Sequence, residues 1–199
     1  MHAVRAGRSF SRPRALGEAA ERLWRSLAGE AEPARTAAQD VDPLLLDMIA
    51  GGDMAAFRTL TERHADRGYG LALRILRSQP AAEAVVQDAM LAVWTSRAKA
   101  VGDRGAFAAW LRGAVVAGCL EALRAGHDGA GETADDAAAT PPERALAALP
   151  GDQRIAMVLA YHEGLDNAGI AGAMRLPQEA VEALLKAGRM AAREALHGG

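Results

Sequence analysis

Val85-Val86-Gln87-Asp88-Ala89-Met90-Leu91-Ala92-Val93-Trp94 is the stretch on which the fold class turns. Val86, Met90, Val93 and Trp94 recur at i, i+4, i+7 and i+8, which places four apolar side chains along one side of an α-helix. By the same period Gln87 and Asp88 point away from that stripe. The pattern is that of a helix with one face for a core and another for solvent or a partner.

The neighbouring stretches continue in the same manner. Leu44, Leu45, Met48 and Ile49 recur at helical spacing until Gly51-Gly52 ends the run. Asp53 is placed to cap a second helix carrying Phe57 and Leu60, and Leu71, Ile75 and Leu76 extend the apolar theme up to Pro80. Phe107, Trp110, Leu111, Ala114 and Val115 mark a further face running towards Arg124. No credible strand alternation or solenoid-length repeat is present.

Two compositional breaks divide the chain. Gly29–Asp40 carries Pro33 and little apolar content, and Gly126–Pro142 reads GHDGAGETADDAAATPP, with four acids and no Lys or Arg. The latter cannot bury enough apolar surface to order itself and reads as a flexible acidic linker. The expected organisation is an N-terminal extension over 1–40, a helical domain over 41–125, the linker over 126–142 and a second helical domain over 143–197. In the second block Leu146 and Leu149 precede Pro150. A helix is expected from Asp152, with Ile155, Met157, Val158 and Tyr161 apolar and Gly164 at its end. Asp166 caps a short helix, Arg175-Leu176-Pro177 turns, and a longer helix runs from about Gln178 to Leu196. Short helix, tight turn, longer helix is the plan of a helix-turn-helix.

Composition agrees with an all-α fold. Half of the 199 residues are apolar, mostly Ala, Leu and Val, and only 4% are aromatic. Ala and Leu give up little side-chain freedom in a helix. The net charge of −2 means that any contact with nucleic acid comes from local patches. Cys119, the only cysteine, rules out an intrachain disulfide, suits a reducing cytoplasm and reads as a small buried hydrophobe. No apolar run approaches the ~20 residues that span a bilayer, so membrane insertion is not expected. Arg5, Arg8, Arg12 and Arg14, with no acid before Glu18, read as a tail, followed by a short helix over Leu16–Leu27.

Chemistry finds no foothold. The five histidines form no i, i+4 pair, and His64 and His162 read as helix-surface residues. No serine has a G-x-S-x-G context, and no Gly-rich loop joins a strand to a helix. No cofactor, metal, small-molecule substrate or catalytic residue is expected.

Several segments together resemble the extracytoplasmic-function group of sigma-70-type factors. Asp53–His64 resembles the opening of region two, and Val85–Trp94 is similar to that group's L-V-Q-[DE]-x-F-L-x-V-W helix. Phe107-Ala108-Ala109-Trp110-Leu111 is similar to its F-x-x-W-L, and Leu120–Arg124 to the end of the same helix. Leu146–Arg154 resembles the entry to region four, and Glu163–Ala171 its E-G-L-S-x-x-E-I-A turn and helix. The resemblance implies two helical domains that grip core RNA polymerase and read promoter DNA, under the control of an anti-sigma factor. Val85, Gln87, Asp88 and Leu91 would dock on the polymerase clamp. Phe107, Trp110, Arg112 and Arg124 would form the promoter-opening face. Gln178, Lys186, Arg189 and Arg193 would carry the DNA contacts of the helix-turn-helix.

The departures from the pattern fall where DNA should be touched. Gly113, Val116 and Ala117 stand where region two expects Arg, Arg and Asn, and Arg112 takes a tyrosine position. In region four Glu182 replaces a lysine, and Leu184 and Ala187 replace arginines. Block 41–125 carries ten basic and nine acidic residues and block 143–197 six and seven, so neither has a basic excess. Each lost phosphate contact removes about one unit of salt-dependence slope. The leading reading is an alternative sigma factor that directs transcription initiation. The alternative is a sigma mimic that captures an anti-sigma factor or polymerase without reading DNA.

Overall fold

The computed structural model of the chain describes residues 41–103, 106–127 and 140–197. The expected tail and helix over Leu16–Leu27, and residues 128–139 of the acidic stretch, lie outside the described residues. All regular structure among the described residues is helical, as the apolar periodicity requires.

The N-terminal group begins with α1 (Asp42–Ala50), which has Pro43 in its first turn, where a missing N–H costs nothing. Gly52, at φ +91°, reverses the chain. The Asp53 carboxylate then accepts from the backbone N–H groups of Ala55 and Ala56 at 2.8 and 3.0 Å and starts α2 (Met54–Leu76). The apolar run expected to stop at Pro80 stops earlier, with Arg77 in a left-handed conformation, and Ser78 caps α3 (Gln79–Thr95). Pro80 therefore opens a helix rather than closing one. A 3-10 turn (Lys99–Val101) leads to α4 (Phe107–Arg124).

α2 is the central rod, packed against α1, α3 and α4. α3 and α4 approach so closely that a methyl at Gly118 would come within 2.9 Å of Val85 Cγ1. In α1, Leu45, Leu46 and Ile49 are buried, whereas Leu44 and Met48, read as part of the same stripe, are exposed. A 9-residue helix lying on one neighbour buries one narrow face only. His64 is not the surface residue expected: its Nε2 lies 2.8 Å from the buried Asp42 Oδ2, and its ring meets Phe107 edge-on at 4.8 Å. His162 is likewise half-buried.

The C-terminal group comprises α5 (Pro141–Ala147), α6 (Gly151–Tyr161), α7 (Asn167–Met174) and α8 (Gln178–His197). Glu143 accepts from the Thr140 N–H at 2.7 Å and closes a capping box at the start of α5. Arg154, almost fully buried, donates to the carbonyls of Ala147 and Leu149 at 3.0 and 3.3 Å. It thereby binds up carbonyls that the end of α5 leaves without helical partners. Val181 and Leu185 of α8 are buried, each such side chain contributing roughly 1.5–3 kcal/mol. Gly188 lets α8 close on α6, since a methyl there would meet Met157 Cγ at 2.8 Å.

The two groups do not stand apart. α6 packs on α2, and α4 packs on α6 and α7. One apolar cluster runs through both groups. The apolar surface that α4 keeps lets the two groups associate.

Candidate functional site

The outer stripe of α3 is formed by Glu83, Ala84, Gln87, Asp88, Leu91 and Thr95, all exposed, opposite the buried Ala82, Val85, Val86, Ala89, Met90 and Val93. Leu91 is 54% exposed, an unusual position for a large aliphatic side chain flanked by polar ones. Gln87, Asp88 and Leu91 thus share one surface. Val85 does not belong to it: it is 8% exposed and turned inward against Gly118. Its place beside Gln87 in the motif reflects packing, because residues two apart on a helix face different ways. Behind the stripe, Trp94 rests on Phe57 with ring centroids 5.3 Å apart, and the Arg97 guanidinium lies 5.0 Å above its ring. These contacts fix the C-terminal end of the helix.

The four residues expected on the promoter-opening face do not form one patch. Phe107 is 1% exposed and stacks behind Trp110, with centroids 5.8 Å apart and planes at 22°. It is a support for the half-buried Trp110 and has no free ring face of its own. Arg112 is drawn to Glu163, with Nη1 3.6 Å from Oε2. Arg124 is exposed but lies about 18 Å along the helix axis from Arg112, at 1.5 Å per residue. Gly113, at an expected arginine position, faces open space, whereas Val116, at another, is fully buried.

The helix-turn-helix is formed by α7, the turn at Arg175 (φ +55°) and α8. Asp166 caps α7 by accepting from the Gly169 N–H at 2.8 Å. At 100° per residue, Gln178, Lys186, Arg189 and Arg193 fall within an arc of about 80° on α8. Gln178, Lys186 and Arg193 are exposed and Arg189 is half-buried. Glu182 sits in the middle of this arc and accepts from Asn167 Nδ2 at 3.3 Å. Leu184 lies roughly 200° around the helix from Glu182, on another side altogether. It lines an open cleft of about 430 Å³ with Leu120, Leu123, Arg124 and Pro150. An arginine at 184 would therefore not have joined the basic arc.

Arg67, which the sequence did not single out, and Glu163, quoted there only as the first residue of a motif, prove central to the arrangement. Arg67 Nη2 donates to Glu163 Oε2 at 2.8 Å, joining α2 to the loop after α6. The only signal in the sequence was a carboxylate and an arginine 96 residues apart. Burial pushes the Cys119 thiol up to about 12. Among the described residues no group of His, Cys, Asp or Glu could hold a metal ion, and no helix is long and apolar enough to cross a membrane.

A family model described as Sigma-70 region 2 matches residues 60–128, and one described as Sigma-70, region 4 matches residues 143–191. The ECF RNA polymerase sigma factor SigK of Mycobacterium tuberculosis (strain H37Rv) is 34% identical over 145 residues, covering 63% of this chain and 77% of the relative. SigK of Mycobacterium sp. (strain KMS) is 38% identical over 72 residues, covering 36% and 37% of the two chains. The solved structure of CnrH in complex with the cytosolic domain of CnrY has a TM-score of 0.57 at 22% identity. It covers 80% of this chain and 99% of that one. At that identity the likeness concerns the fold.

Proposed function

This chain belongs to the extracytoplasmic-function group of the sigma-70 family, and from that membership we propose that it acts as an alternative sigma factor, binding core RNA polymerase and directing initiation at a specific class of promoter. Its work is recognition rather than catalysis. The observation that carries the reading is the α3 surface, where Gln87, Asp88 and Leu91 stand exposed together on a helix locked from behind. A charged and an aliphatic group side by side on a rigid helix suit a protein partner more than a phosphate backbone.

On this reading 41–125 and 143–197 are two domains. The first holds polymerase through α3 and meets unstacked promoter bases near Trp110. The second lays the Gln178–Arg193 arc of α8 in the major groove, with arginine and lysine positioning on phosphates and polar side chains reading base edges. Glu182, at the centre of that arc, repels phosphate and weakens the grip of the helix on DNA of any sequence. A protein inhibitor is the expected regulator, and the relative CnrH was solved with a protein bound to it. The sigma mimic is not favoured, since the SigK relatives are sigma factors by name.

Purified chain added to core polymerase and a library of genomic promoter fragments tests the proposal. Run-off transcripts from a discrete promoter set, absent with core alone, are expected. Stable core binding with no transcript from any fragment would overturn the promoter-reading part and restore the mimic.

A further inference from the structure

Four of the eight large apolar side chains that stand exposed among the described residues fall within 41–54: Val41, Leu44, Met48 and Met54. The first three belong to α1 and its cap. At 100° per residue they occupy an arc of about 60°, centred roughly 120° round the helix from the buried Asp42, Leu45, Leu46 and Ile49. α1 is therefore apolar on two sides, and it packs on α2 with only one of them. A surface helix ordinarily turns polar residues to water, so the second apolar side is suited to being covered.

The chain carries a segment that fits this side. In residues 16–27, Leu16, Ala19, Ala20, Leu23, Trp24 and Leu27 fall within an arc of about 140° at helical period. Glu18, Glu21, Arg22 and Arg25 all fall beyond that arc. A helix of about a dozen residues is marginal in water and needs an apolar surface to lie on. Residues 28–40 join the segment to α1 and reach ~45 Å when extended. α1 is only about 14 Å long, so the tether lets one stripe meet the other in either direction. It also holds the segment near α1 at an effective concentration on the order of millimolar, where a small surface suffices. A second copy of the chain lacks that advantage. A specific interface takes about 800 Å² from each partner, more than the outer side of a 9-residue helix presents.

We propose that residues 16–27 form a helix that folds back on the outer side of α1, with Leu23 over Leu44, so that the N-terminal extension is part of the first helical group. The contact is independent of the sigma-factor reading, because it rests on α1 and the segment alone.

The test uses the full chain. Leu44→Asp, Leu23→Asp and the double variant are compared with wild type by hydrogen exchange over residues 42–50 and by thermal melting. An acid in the first turn of a helix is favourable, so a Leu44 facing water would accept Asp without loss. Each single variant is expected to speed exchange in α1 by about tenfold. The double variant should do no more than either alone, since both break one contact. A second measurement pairs Leu23→Cys with Leu44→Cys and adds a short bis-maleimide, the one native thiol, Cys119, being buried. An internally bridged monomer is expected, formed at least about tenfold faster than from Arg25→Cys with Leu44→Cys, which uses the opposite side of the same tethered segment. Unchanged exchange in the single variants, or equal bridging from positions 23 and 25, overturns the docking. A loss from Leu44→Asp that Leu23→Asp does not share gives the stripe to another occupant, and bridged dimers give it to a second copy; either result overturns the proposal.

Discussion

Asn167, the first residue of α7, donates to Glu182 on α8 at 3.3 Å, so the acid that interrupts the basic arc also ties the two helices of the turn motif together. The same side chain thus has a structural partner and an electrostatic effect of opposite value for DNA. Glu182→Lys removes the first and reverses the second. The bond is exposed, so the loss of stability should be small, about 0.5 kcal/mol. Promoter affinity of the holoenzyme should rise and its salt-dependence slope steepen by about one unit, read from binding isotherms at several salt concentrations. An unchanged slope would place α8 away from phosphate.

The α3 surface predicts a clear split between neighbours in the motif. Asp88→Arg and Leu91→Asp should each weaken core polymerase binding by about tenfold or more, roughly 1.4 kcal/mol, while melting as wild type does. Val85→Asp should instead destabilise the fold, since Val85 is buried against Gly118. Competition against a labelled sigma factor, run beside thermal melts, separates the two kinds of loss.

Two glycines in α4 should respond in opposite directions. Gly118→Val forces atoms into the space of Val85 and should cost about 1–3 kcal/mol. Gly113→Ala meets nothing within 4 Å and should gain roughly 0.5–1 kcal/mol from reduced backbone freedom in the unfolded chain. Denaturant midpoints measured side by side would show the two signs.

Asp42 and His64 couple α1 to α2. Asp42→Ala should lower stability by about 1–3 kcal/mol, because the partner at 64 is left half-buried without its acceptor. A double-mutant cycle with His64→Ala should return a coupling of about 0.5 kcal/mol or more. A coupling of zero would mean that α1 is held without this pair, by Leu45, Leu46 and Ile49 and by the Arg63–Asp42 ion pair at 3.7 Å.

Cys119, fully buried with its thiol pushed up to about 12 from an ordinary 9.0, predicts two behaviours. In the native protein it should resist a disulfide-exchange reagent at pH 8 and react in denaturant. The folded chain binds this proton more tightly than the unfolded one. The thiol's contribution is therefore whole below pH 9 and is lost as pH rises from there towards 12. Stability of Cys119→Ala measured against wild type should lack that alkaline decline. An equal decline in both proteins would assign it to other groups.

Local pattern was enough for the helices, their caps and their order, because each depends on residues within a turn or two of one another. Asp53, Ser78 and Asp166 cap where their side chains reach backbone N–H groups two or three positions on. The exposed Gln87-Asp88 pair and the arc on α8 likewise follow from helical period alone. What period cannot supply is the neighbour. Val85 and Phe107 look like surface residues of a motif until α4 and Trp110 are placed over them, and His64 looks solvated until Asp42 arrives from 22 residues away. The meeting of Glu163 with Arg67 and Arg112 depends on how two helical groups pack across a connection of polar residues. Long-range pairing of that kind is decided by the shape and charge of whole surfaces, which only the assembled chain possesses.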